Sequence, residues 1–410
     1  MNILEFIKDP IIAIEQWLIQ VFGNWGIPQE WQTALIYVIG AAILGTVALL
    51  ITLILIWAER KIIGRLQDRL GPNRIGPWGI FQPVADMLKI FIKEHIIPDG
   101  VDKIPYHLAP VLAVASVLML WTIVPFSDNV RGSNLNVGLI FFLGVGTLGE
   151  IGVILAGWGS NNKYSILAAF RASAQMISYE VPMAIVLLVV VILAGSLSLG
   201  DIVYSQNIAY IFFLPLGALI FFIASIAENG RAPFDLAEAE SELVAGFNIE
   251  YSGLKFGMFY VADFLRAFTS SVIFASIFLG GWRGPGAEQI PILGFVYLVI
   301  KSTVVWFLGV WIRGSMPRFR VDQMMAITWK FLTPLALSLL ITVAFVNKLF
   351  ASANQWIQLI IMLVINIVLF IIGFGITRKL EKEKERKEVG MRDRPLAQPT
   401  NIYSQSESGG

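Results

Sequence analysis

Nine apolar stretches, each about as long as the ~20 residues a helix needs to cross a bilayer, dominate this chain of 410 residues. They lie roughly at 34–57, 105–126, 137–158, 170–197, 208–228, 254–282, 290–313, 327–348 and 355–377. In hydrocarbon every backbone polar group needs a partner within the protein, and a helix supplies one internally. The fold expected is therefore an all-α integral membrane protein with about nine transmembrane helices. A mean hydropathy of +0.72 agrees. No basic segment leads into a short apolar run with a small-residue cleavage site, so no cleaved leader is expected.

The chain has no cysteine, which excludes thiolate-held iron–sulfur clusters, cysteine-attached haem and disulfides within it. Its two histidines, His95 and His107, both fall outside the apolar stretches, so no bis-histidine haem is expected in the membrane. If the protein takes part in electron transfer, the electrons travel on another subunit, and no metal site is expected here.

Basic residues set the orientation. With the N-terminus outside, only Lys8, Arg131, Arg283 and Lys348 face outward, and Arg266 and Lys301 lie within spans. The rest of the 30 Lys and Arg residues gather on the cytoplasmic side, as the positive-inside rule requires. Residues 1–33 read as an N-terminal helix lying on the membrane, with Ile11, Ile14, Leu18 and Val21 on one face. Residues 34–348 form an eight-span core with inner-side loops at 59–104, 229–253 and 314–327. An extra ninth span covers 349–378, and 379–410 is a charged cytoplasmic tail whose Pro/Ser/Gly-rich end reads as disordered.

The loop after the first span crowds Arg60, Lys61, Arg65, Arg69 and Arg74 at the inner edge. Gly71, Pro72, Gly76, Pro77 and Gly79 then force turns. From Pro83 an amphipathic helix over 82–97 sets Asp86, Lys89 and Lys93 on one face and Val84, Met87, Leu88 and Phe91 on the other. Basic residues alone would only anchor the span, which does not account for a shaped loop of this length.

Five charges fall inside spans: Glu150, Glu180, Asp263, Arg266 and Lys301. Each costs ~2.5–3.5 kcal/mol at the bilayer centre unless paired or hydrated. Asp263 and Arg266 are three residues apart and can satisfy each other. Glu150 and Glu180 have no neighbouring cation in sequence, and Pro182 frees a carbonyl beside Glu180. Behind Glu228, the passage "APFDLAEAESELVAGFNIEYSG" adds Asp235, Glu238, Glu240, Glu242 and Glu250. A helix over 235–245 would set Asp235, Glu238 and Glu242 on one face, raising one another's pKa. A proton relay leading inward through Glu228, Glu180 and Glu150 fits this pattern. So does an exposed acidic loop that docks a basic partner.

The segments "ERKIIGRLQDRLGPNRIGPWGIFQPVADMLKIFIKE", "RASAQMISYEVP", "AENGRAPFDLAEAESELVAGFNIEYSG" and "MPRFRVDQMMAITWK" resemble, in order, the signature loops of the quinone-channel membrane subunit of respiratory complex I, the NADH:quinone oxidoreductase. The likeness covers about residues 30–345. It implies a proton-translocating subunit of a prokaryotic inner membrane, not catalytic alone, that forms a chamber for quinone (ubiquinone or menaquinone) and links it to proton pumping. Iron–sulfur clusters and FMN would belong to partner subunits. The partners implied are the hydrophilic subunits at the quinone site, with small and antiporter-like membrane subunits; nucleic acid is not among them. Carried over, the relay residues are Glu150, Glu180, Glu228, Asp235, Glu238, Glu240, Glu242 and Glu250. Those at the quinone entrance are Glu59, Arg60, Arg65, Arg69 and Asp86, with Phe259 and Asp263 in the chamber. Members often have Glu where this chain has Asp263, and Arg266 is not a family fixture, which makes a local ion pair the competing role for Asp263.

An isoprenoid quinone needs an apolar slot open to lipid and few donors. The first span, the helix at 82–97 and aromatic residues of the sixth span (Phe256, Phe259, Tyr260, Phe264) are expected to wall it. Three rival readings are a membrane subunit of a proton-translocating hydrogenase or ferredoxin-linked complex, a free-standing cation/proton antiporter, and a structural assembly anchor.

Overall fold

The structure, a computed structural model, describes residues 10–128, 130–236, 240–350 and 354–392. Eight helices are long and apolar enough to cross a membrane: Gln29–Leu66, Lys103–Trp121, Gly138–Gly159, Lys163–Ala194, Gly253–Phe278, Pro291–Ser315, Val321–Leu349 and Gln355–Ile376. They correspond to the first four and last four expected spans. No strand occurs among the described residues, where Pro125 and Arg131 form only an isolated bridge.

The fifth segment departs from expectation. Instead of one helix over 208–228, a single turn at Tyr210–Phe213 breaks at Leu214, and a new helix runs from Pro215 to Glu228. A proline inside a helix lacks its N–H donor, and its ring meets the carbonyl four residues back. At the first position of a helix neither matters, so Pro215 starts a helix where it would have broken one. Pro182, by contrast, sits inside the unbroken helix Lys163–Ala194.

Two other boundaries move. The amphipathic helix spans Gln82–Ile92 and not 82–97. The last helix continues from the membrane to Arg392, well into the charged segment, and residues 393–410 lie outside the described ones. At the other end a helix covers Pro10–Asn24.

The sixth span is the hub. Of its apolar centre 89% is buried, against 22% for the first span and 11% for the ninth. Its Phe278 joins Tyr179, Val186, Phe221 and Leu339 in one core, while its Phe268 joins Tyr106, Val153 and Trp306 in the other. Anything built on this helix is held from all sides.

Candidate functional site

A cavity of about 950 Å³ lies between the first span, the helix Gln82–Ile92 and the sixth span, and residues 245–252 complete its lining. The three helices are those the sequence reading expected as walls; the segment 245–252 is an addition to them. The lining is mainly apolar, with Leu53, Ile56, Met87, Phe91, Phe256 and Val261. Arg60, Asp86 and Tyr260 supply polar groups. Arg60 donates to Asp86 at 2.5 Å and Gln82 adds a bond at 3.2 Å, which ties the amphipathic helix to the first span. Behind it, Lys61 donates to the carbonyls of Pro72 and Trp78 at 2.8 and 3.0 Å, closing the turn-rich loop. Gly79 has φ +76°, and a Cβ there would stand 2.3 Å from the Pro72 carbonyl oxygen, so the loop closes only with glycine.

Phe259 does not line the cavity. It is buried behind the wall between Phe247 and Tyr251, with ring centroids 5.4 and 5.0 Å away. Phe264 lies under the Arg231 guanidinium at 4.5 Å. Arg65 and Arg69 are exposed and away from the cavity.

Glu59, toward the C-terminal end of the first span, is buried and ion-paired to both Arg231 and Arg313. The clasp joins the first span, the loop after the fifth segment and the end of the seventh span. A carboxylate this deep is retained only where charge and hydrogen bonds compensate its lost hydration, and two guanidiniums do both.

Among the described residues, the acidic passage is not a cluster of like charges. The helix expected over 235–245 does not form: Glu240–Leu243 makes one turn, and Val244 follows at φ +63°. Asp235 accepts from Arg318 at 2.9 Å, Glu242 from Arg171 at 2.5 Å, and Glu250 from the Asn162 amide at 2.7 Å. Where mutual repulsion would raise the pKa of such residues, the hydrogen bond and charge of Arg171 hold the Glu242 carboxyl below the usual glutamate range. Glu240 opens the short helical turn, and Glu238 lies outside the described residues.

Within the membrane the charges converge on the sixth span. Glu150 and Glu228 are buried, at 6% and 9% exposure, and Glu180 is half-buried. Glu150 interacts electrostatically with Glu228, Glu180 and Arg266. Arg266 packs so closely on the third span that a Cβ at Gly149 would lie 2.0 Å from its Nη2 and 3.0 Å from the Ser116 hydroxyl. Asp263 feels Arg266, Arg231, Arg313 and Asp235. The local ion pair considered for Asp263 and Arg266 is absent among the described residues, since the guanidinium turns toward Gly149. A series of charges thus runs from Asp235 in the loop after the fifth segment through Asp263 and Arg266 to Glu228, Glu150 and Glu180.

Lys301 is not part of it. Its ammonium donates to the carbonyls of Leu279, Gly281 and Arg283 at 2.8, 2.9 and 2.8 Å, closing the end of the sixth span. Sequence reasoning assigned no role to Arg171, Arg313 and Arg318, although Arg171 and Arg318 stand in the motifs that carry the resemblance. Their carboxylate partners are 71, 254 and 83 residues away, a separation no local pattern reveals.

The profile of the NADH dehydrogenase family matches residues 39–344. A protein from Dehalococcoides mccartyi (strain CBDB1), named as the H subunit of NADH-quinone oxidoreductase, is 45% identical over 315 residues, covering 77% of this chain and 87% of that protein. Proteins of the same name from Brevibacillus brevis and Ralstonia pickettii are 44% and 40% identical. Those matches cover 78% and 79% of this chain, and 95% and 94% of the relatives.

Proposed function

This chain belongs to the NADH dehydrogenase family, and on that premise we propose that it is a membrane subunit of an NADH–quinone oxidoreductase. In this reading it admits quinone through the cavity and passes the consequence of quinone reduction to a chain of carboxylates that moves protons. The observation that carries the reading is a juxtaposition on one helix. Tyr260 lines the cavity, and Asp263, one turn on, interacts with Arg231, Arg313, Arg266 and Asp235.

A quinone headgroup takes up two electrons and two protons when reduced. The apolar walls receive its tail, while Arg60 and Tyr260 offer donors to a carbonyl oxygen. Negative charge developing beside the sixth span favours protonation of carboxylates within Coulomb reach, and Asp235 stands nearest the inner surface. Electrons arrive on partner subunits, and the paired acidic passage faces the compartment where those partners dock. The loops and tail are cytoplasmic and the membrane is a prokaryotic inner membrane.

The test uses Asp263→Asn in the assembled complex. Quinone-linked NADH oxidation and proton pumping are expected to fall by about tenfold or more. NADH oxidation by ferricyanide is expected to hold. Unchanged quinone-linked turnover and pumping would overturn the reading.

A further inference from the structure

The ninth span lies beyond residues 39–344, the stretch matched by the family profile, yet it reaches the break in the fifth segment. Asn366, 1% exposed on an otherwise apolar stretch, donates from Nδ2 to the Phe213 carbonyl at 3.1 Å and to its own helix at Met362 at 2.7 Å. Both amide hydrogens are used. In a continuous helix the Phe213 carbonyl would accept from the N–H of Gly217. Here the first bond of the restarted helix runs from the Ala218 N–H to the Leu214 carbonyl at 2.9 Å, which leaves Phe213 one residue short. A carbonyl without a donor is costly in hydrocarbon, and the ninth span provides the donor.

Packing alone does not explain an asparagine at this position. Its Oδ1 is buried with no partner among the described residues, a cost that leucine, with the same branching and no polar atom, would avoid. The restarted helix also ends on Glu228. Where that helix begins therefore sets the depth at which this carboxylate sits against Gly146, whose Cβ would stand 3.4 Å from Glu228 Oε1.

We infer that Asn366 is a positioning residue: its amide fixes the break at Leu214–Pro215 and, through the helix Pro215–Glu228, the placement of Glu228. The second half rests on the relay reading above, whereas the first stands without it.

The experiment compares Asn366→Leu and Asn366→Gln in the purified complex by hydrogen–deuterium exchange of a peptide spanning 210–220, and by protons pumped per NADH oxidised. Asn366→Leu is expected to speed exchange roughly threefold, the fold-change that corresponds to an average interhelical hydrogen bond in a bilayer. It is also expected to lower the pumping ratio with ferricyanide reduction unchanged. Asn366→Gln, which keeps the donor, is expected to restore both. Parental exchange in Asn366→Leu would overturn the inference. If only Asn366→Leu fails to assemble, the amide is required, as inferred; if both variants fail, an amide-specific role is refuted. Faster exchange with an intact pumping ratio, in a complex where Glu228→Gln does abolish pumping, would refute the link to Glu228. Normal pumping by Glu228→Gln would remove the relay reading and leave the exchange result to judge Asn366.

Discussion

Glu59 and Glu228 are both buried carboxylates toward the C-terminal ends of apolar helices, yet their surroundings are opposite. Glu59 is gripped by Arg231 and Arg313, one on each oxygen. Glu228 has one oxygen near Gly146 and the other without a hydrogen-bond partner among the described residues. A carboxylate with both oxygens held by guanidinium is fixed in position, and it works as a fastener. One with an open oxygen has room to take a proton or a water molecule. The saturated and the open carboxylate are thus kept apart, and charges of the sixth span interact with both surroundings: Asp263 with Arg231 and Arg313, Arg266 with Glu228.

Neutralising the fastener should have the largest effect. Glu59→Gln leaves two guanidiniums without a counter-charge, and breaking a buried pair in this way costs about 3–5 kcal/mol. The expected outcome is little assembled subunit in the membrane by immunoblot, and a sharply lowered Tm for any complex recovered. Glu228→Gln should invert that profile: assembly and Tm stay close to parental, while quinone-linked proton pumping falls by about tenfold or more. If both variants merely destabilise, the contrast between the two sites is broken.

A smaller effect sharpens the responsive side. Gly149→Ala puts a methyl where the Arg266 guanidinium rests, and overpacking of this kind costs about 1–3 kcal/mol. Displacing Arg266 should alter the pH profile of pumping more than it lowers Tm, measured on the same preparation. The smallest effect belongs to the exposed pair of Arg171 and Glu242. Arg171 holds the folded-state pKa of Glu242 below its unfolded value, so its stabilisation is present above the unfolded pKa. It fades as pH drops from the unfolded pKa through the lower folded one. Glu242→Gln should therefore remove a slight acid sensitivity and leave stability near pH 7 almost unchanged, as read from Tm against pH.

Much of the architecture was legible because hydrocarbon is an exacting solvent. Apolar length marked the spans, and the amphipathic face of Gln82–Ile92 marked that helix as a cavity wall. The charges were harder. That Glu150 and Glu228 lie inside the protein follows from their flanks, but the partners of Asp235, Glu242 and Glu59 come from remote loops, and ion pairs have no sequence period. Asp263 and Arg266 illustrate the limit. Their spacing permits a pair, and only the bare backbone of Gly149 on another helix explains why the guanidinium goes elsewhere. The partners of Lys301 were hidden for a similar reason, since a cluster of backbone carbonyls satisfies an ammonium as well as an acid does and leaves no trace in residue types. At Leu214 the signal was present in Pro215, but a proline reads equally as interruption or as beginning until the packing partner is known.

The short span of residues between Tyr260 and Arg266 sets a scale for communication. Six residues of α-helix advance about 9 Å, roughly one Debye length at physiological salt and far less screened in a dry interior. A charge arising beside Tyr260 in the cavity wall and the buried Arg266 guanidinium are thus close enough to sense each other through the electric field alone. No moving parts are needed between them, and the stiffness of a helix buried along most of its length keeps that distance constant.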